Sequence, residues 1–148
     1  MEALTIYGGF LRLFAQPRRK ILELSVITEA LNASSESFTA ELNGECLIIS
    51  SEQAIAYLAA CGTQITVEAL LFPTDKVQDV NALNQRILET HKMIPLTSIG
   101  ITEVDGQSYY TAFGALSSDS KVESVVEEVS VLFQNIPEIL ETFAEFLK

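Results

Sequence analysis

The sequence predicts an α+β fold, an antiparallel β-sheet packed by helices in the order α-β-β-β-β-α-β-β-α. Three observations carry that expectation. Apolar residues alternate with a period of two through residues 38–42, 65–71 and 99–114, two-residue turn signals punctuate the strands, and helical spacing lies outside them. At 148 residues and 48% hydrophobic content, the chain can bury one full core without a stabilising cofactor. One domain over residues 25–148 is therefore expected, preceded by an amino-terminal arm, residues 1–24.

The arm is electrically distinct from the rest. Four cations and one carboxylate give residues 1–20 a net charge of +3, against −14 for the remainder and −11 overall. Its apolar run resembles a targeting segment, but the basic residues follow the run, Glu2 precedes it and Gly8-Gly9 interrupts it, so a signal peptide is rejected. A first helix is expected from about Pro17 to Asn32, although Val26, Ile27 and Thr28 disfavour helix and the cations sit at the wrong end of its dipole.

Phe38, Ala40 and Leu42 alternate up to Asn43-Gly44, a pair suited to a type I′ turn, and residues 46–50 return antiparallel. Residues 54–60 are Ala-rich and fit helix or strand. Gly62 follows them, and Ile65, Val67, Ala69 and Leu71 then alternate with polar residues, so a hairpin about Gly62-Thr63 is expected. Asp79 caps a second helix to about Lys92, with Val80, Leu83 and Ile87 facing inward and Pro95 ending it. A third hairpin turns at Asp105-Gly106. The last helix carries Val122, Val125, Val129, Leu132, Phe133 and Ile136 on one face, with Glu123, Glu127 and Glu128 on the polar one. Pro137 lacks the amide that the helix needs, so a kink or break is expected there.

Several functional classes are disfavoured. The net charge repels phosphate backbones, which speaks against nucleic acid. One histidine, His91, rules out a multi-histidine metal site or paired imidazoles in one chain, and its place at a helix end suggests a structural role. Cys46 and Cys61 lack the spacing of a zinc knuckle or redox pair and read as two small buried thiols. Phosphate-binding glycine loops and the nucleophile elbow are absent from the sequence. No cofactor, metal or catalytic residue is expected, and without a spanning run the chain is expected in the cytoplasm.

The blocks VEALLFP (67–73), LETHK (88–92), PLTSIGI (95–101), DGQSYYTAFGALS (105–117) and VESVVEEV (122–129) resemble a bacterial family of uncharacterised proteins of the YjfI type. That resemblance implies no catalytic residue, and implies a setting in bacterial envelope stress by association. The element order is also similar to that of small acidic secretion chaperones, which dimerise and hold partly unfolded clients.

Function is accordingly expected in a noncatalytic, protein-binding adaptor or chaperone-like module, acting as a homodimer. The register about Asp105-Gly106 sets Tyr109 and Phe113 on the face away from the helices, and alternation in the strand before Pro73 adds Leu70 and Phe72, forming an apolar partner-binding patch. Two alternatives stand beside it. One is a small-molecule or enzyme pocket near Tyr109, Tyr110 and His91. The other is a membrane-stress component docking through the arm residues Phe10, Leu11, Phe14, Arg18, Arg19 and Lys20, although the acidic charge opposes anionic lipid.

Overall fold

The computed structural model describes residues 22–148. Helix α1 (Leu24–Ala33) opens the domain, followed by strands β1 (Phe38–Asn43), β2 (Cys46–Ser51), β3 (Ile55–Cys61) and β4 (Gln64–Pro73). Helix α2 (Val80–Thr90), strands β5 (Ser98–Val104) and β6 (Gln107–Ser117), and helix α3 (Val122–Phe143) complete it. The six strands form one antiparallel sheet in the order β1-β2-β3-β4-β6-β5. The α+β fold and the element order are those expected. The arm residues Phe10, Leu11, Phe14, Arg18, Arg19 and Lys20, and the expected start of the first helix at Pro17, lie outside the described residues.

Helix α1 forms despite its β-branched run because Ile27 and Leu31 are fully buried, and burial outweighs a few tenths of a kcal/mol, roughly, of propensity per residue. Thr28 turns its hydroxyl onto the carbonyl of Leu24, 2.7 Å away, within the helix. Asp79 caps α2 as expected, accepting from the Ala82 amide at 3.0 Å. Leu83 and Ile87 are buried there, whereas Val80 in the first turn is exposed.

Three corrections concern chain geometry. Asn43 pairs with Cys46, so the first hairpin turns on Gly44-Glu45 rather than Asn43-Gly44. Only Gly44 takes positive φ there, at +62°, which is the pattern of a type II′ turn. Helix α3 runs unbroken through Pro137. The expected break is therefore not present, and Val129, Leu132, Phe133, Ile136, Ile139 and Phe143 are buried on both sides of the proline, so packing keeps the helix continuous where the missing hydrogen bond weakens it. Finally, Glu128 is not on the solvent face but buried at 7% exposure, because the α3 stripe turned toward β6 is wide enough to include it.

The core occupies one side of the sheet. Phe38, Ala40, Leu47, Ile49, Ala56, Leu58, Ile65, Val67, Ala69 and Ala112 alternate along the strands onto that side and meet the buried stripes of all three α-helices. Phe38 stacks on Phe133 of α3 with ring centroids 5.5 Å apart. Tyr110 reaches α2, where its hydroxyl donates to Asn84 Oδ1 at 2.7 Å.

Candidate functional site: the uncovered sheet face

Placing the helices on one side leaves the other side of the sheet without a covering layer among the described residues. The strand pairings define what it carries. Glu41, Ile48, Tyr57, Glu68 and Phe113 form one row across β1, β2, β3, β4 and β6. Thr39, Ser50, Ile55, Leu70 and Thr111 form the next, with Leu70 set opposite Ile55 by the β3–β4 register. Ile55, Tyr57 and Leu70 remain 50%, 48% and 40% exposed. Three large apolar side chains on one sheet face are an apolar patch of the kind that marks contact with another polypeptide.

Polar groups frame the patch. Glu68 accepts from the Thr102 hydroxyl at 2.6 Å, diagonally across β6. Between them on β6, Thr111 is completely buried and its hydroxyl has no hydrogen-bond partner among the described residues. Beside it the Phe113 ring lies along β5, where a Cβ on Gly100 would come within 3.1 Å of its edge. Gly100 thus leaves room for the Phe113 ring beside it.

The four residues expected to form the patch are divided by the structure. Leu70, Tyr109 and Phe113 are on the uncovered side, with Tyr109 and Phe113 half-buried. Phe72 is not. The β4–β6 register shifts between Leu70 and Phe72, so Phe72 pairs with Tyr110 and turns into the core, 7% exposed, with its ring 5.3 Å from that of Tyr110. One extra residue in a strand inverts every side chain beyond it, and simple alternation cannot anticipate this. Ile55 and Tyr57 were missed for a different reason. β3 is apolar on both faces, which removes the contrast that a period-two reading needs, yet a double-sided apolar strand is itself the signal.

The sheet margins argue against a site built on backbone pairing. On β1, the Asn32 side chain accepts from the Ala40 amide and donates to the Ala40 carbonyl, both at 2.8 Å, standing in for a neighbouring strand. On β5, the Ile99 amide donates to His91 Nε2 at 3.0 Å. Each edge is thereby occupied by a side chain, a known guard against strand addition. His91 is structural as expected, though it serves as an acceptor for a strand amide rather than a donor to helix carbonyls.

The alternative pocket near Tyr109, Tyr110 and His91 does not assemble. Adjacent strand residues point to opposite faces, so Tyr110 enters the core, where burial pushes its phenol up, while Tyr109 lies on the other side. His91 instead borders a cleft of about 750 Å3 where β6 continues past the start of β5, together with Lys92, Leu96, Thr97 and Glu128. Glu128 packs against Gly114, where an added Cβ would fall within 2.8 Å of its Cδ. Burial, and then the neighbouring charge of Glu127, hold its carboxyl above the usual carboxylate range. Leu96 beside it adopts positive φ, +58°, held between Pro95 and Thr97, whose carbonyl and hydroxyl both accept from Asn135 at 2.9 and 2.7 Å. No group of three or more metal-binding side chains occurs among the described residues. Nor is any described helix long and apolar enough to cross a membrane.

Residues 22–147 match a bacterial family described as "Uncharacterized protein conserved in bacteria (DUF2170)". The chain belongs to this family. Its relatives include the uncharacterized protein YjfI of Escherichia coli strains K12 and O157:H7, each 32% identical over 83 residues. Those matches span 56% of this chain and 62% of the relative's length. Among solved structures, a chain of the HopA1-SchA chaperone-effector complex superposes with a TM-score of 0.56 at 14% identity, covering 77% of this chain and 90% of its own. Escherichia coli YbjN gives 0.54 at 13% identity, covering 80% and 96%, and a chain of the ExsC-ExsE complex gives 0.50 at 13%, covering 85% and 97%. These likenesses establish a fold shared with those chains.

Proposed function

We propose that this protein is a noncatalytic, chaperone-like module that binds another protein through the uncovered sheet face. The observation that carries the reading is the row structure of that face, with Ile55, Tyr57 and Leu70 each 40–50% exposed on a sheet whose helices, among the described residues, all lie on the other side. Aromatic and aliphatic anchors of this kind supply most of the affinity in protein interfaces. The fold shared with chains from two complexes, one of them a chaperone-effector complex, supports a protein as the partner. The side-chain guards on β1 and β5 favour the face over the edges as the place of contact.

A second copy of the chain is one candidate partner, and a cytoplasmic client in bacterial envelope stress is another. Affinity purification of the intact protein from its native cell tests the reading when run in parallel with Tyr57→Thr and Leu70→Ser. The reading requires a partner recovered with the intact chain and lost from both variants while circular dichroism remains native. Sedimentation of the same three proteins tells whether that partner is a second copy. Equal recovery by folded variants would refute the face as the contact surface.

A further inference from the structure

Helix α3 buries two polar side chains, Glu128 and Asn135, that stand seven residues apart and so share one face of the helix. Asn135 is satisfied, because it donates to the Pro95 carbonyl and the Thr97 hydroxyl and so pins the segment that leads into β5. Glu128 is hidden to the same degree, at 7% exposure, yet it forms no hydrogen bond or ion pair with any described residue. A carboxylate taken out of water without a partner is costly, and a native structure that keeps one calls for a reason.

The Glu128 side chain rests on bare backbone at Gly114, where an added Cβ would lie 2.8 Å from its Cδ and 2.9 Å from its Cγ, so glycine at this point of β6 keeps its place free. With Gly114, Lys92, Leu96 and Leu116 it lines the cleft of about 750 Å3 beyond the start of β5, a volume in the range of small-molecule sites. Burial, more than the adjacent Glu127, raises its carboxyl, as expected of a charge that lacks a counter-ion. Lys92 is exposed and makes no ion pair with it. The group that this arrangement fits is positively charged. Residues 22–148 hold five Lys and Arg against 19 Asp and Glu, or −14, so cations are concentrated about the domain and anions repelled. A metal ion finds too few ligands, since no group of three metal-binding side chains occurs among the described residues. Leu96 and Leu116 offer instead an apolar wall suited to a carbon chain.

We propose that the cleft binds a small organic cation, an alkylammonium or alkylguanidinium whose nitrogen donates to the Glu128 carboxylate and whose carbon chain lies along Leu96 and Leu116. A charge-assisted hydrogen bond at a desolvated carboxylate is among the stronger polar contacts a protein makes, and it supplies the partner that Glu128 lacks. The site uses none of Ile55, Tyr57 and Leu70, so it stands independently of the reading of the uncovered face.

Titration of the full chain with n-butylammonium, followed by proton–nitrogen NMR, is expected to give saturable shifts at the amides of Thr97, Gly114 and Leu116. The uncharged n-butanol has the same carbon chain and is expected to give no saturable shift there. Glu128→Gln keeps the shape of the side chain and should weaken binding by about ten-fold or more. Gly114→Ala fills the place of the carboxyl and should weaken it likewise. Lys92→Gln removes a repelling charge at the cleft and should tighten binding; as an exposed change it keeps the test open should Gly114→Ala lose the fold. Native peak dispersion is required of each variant that is compared. Equal binding by folded Glu128→Gln, weaker binding by Lys92→Gln, or the same saturable shifts with n-butanol would overturn the proposal, as would the absence of saturable shifts with both n-butylammonium and n-butylguanidinium. A lysine side chain on a bound peptide carries the same group, so a blocked Gly-Lys-Gly peptide is titrated alongside. Peptide binding more than about ten-fold tighter than that of n-butylammonium would assign the cleft to a protein ligand and overturn the small-molecule assignment.

Discussion

Tyr57 and Leu58 are neighbours in β3 and should respond to substitution in opposite ways. Leu58 is fully buried among the core residues, whereas Tyr57 is 48% exposed on the other side of the sheet. An aromatic side chain buries about 150–250 Å2, so roughly 100 Å2 of Tyr57 remains for a partner. At about 25 cal/mol per Å2 this amounts to about 2.5 kcal/mol, or a roughly 70-fold weaker Kd for Tyr57→Thr. Threonine is β-branched and suits a strand, so the fold survives. Leu58→Ala instead removes buried methyl groups at a cost of about 2–5 kcal/mol, lowering Tm by roughly 10 °C in a chain of this size. Thermal melts by circular dichroism and titration of the purified partner against each folded variant check both halves. A Leu58→Ala protein with an unchanged Tm would refute the strand register, and a Tyr57→Thr protein of unchanged affinity would refute the face as a binding surface.

Thr111→Val should raise stability by about 1 kcal/mol in urea unfolding, because it removes a buried hydroxyl that has no partner among the described residues and keeps the shape of the side chain; a loss of stability would reveal a bond to that hydroxyl. Glu128→Gln should raise Tm at pH 7, with the gain vanishing in acid. The raised carboxyl contributes stability that is fully present below its unfolded pKa and is lost as pH rises through the folded value, so a gain independent of pH would contradict the assignment. Gly44→Val should cost about 1–3 kcal/mol, since φ at +62° is hostile to a β-branched residue while the added Cβ meets nothing within 4 Å. Gly44→Asn should cost less, and equal losses for both would point to a steric rather than a conformational cause.

Much of the fold was legible in the residues themselves. The Asp105-Gly106 pair has positive φ at both positions and joins Val104 to Gln107, so Ile101 faces Tyr110 and Thr102 faces Tyr109 as the turn requires. Asp79 marked the start of α2 by the same kind of local chemistry. What misled was always decided at longer range. Asn43-Gly44 carries a strong local turn signal, but the pairing of six residues from each strand settles the turn one position later. Pro137 breaks isolated helices, yet here its helix is clamped by core contacts before and after it. The candidate site suffered most because it depends on strand parity, and a single register shift near Leu71 moved Phe72 from the contact surface to the core.

The same dependence on register supports placing the proposed site on a face. A partner binding to an open strand edge reads mainly backbone amides and carbonyls, which every sequence provides, and such edges invite indiscriminate pairing. Here Asn32 engages Ala40 on one outer strand and His91 engages Ile99 on the other. Apolar surface is left in the middle of the sheet instead, on β3 and β4, where the backbone groups already serve the ladder. Contact there must be made by side chains, so its selectivity depends on which residues the register turns outward. On the proposed reading, changing Tyr57 or Leu70 alters recognition without touching a backbone hydrogen bond, so the stability of the domain and the choice of partner can be varied separately.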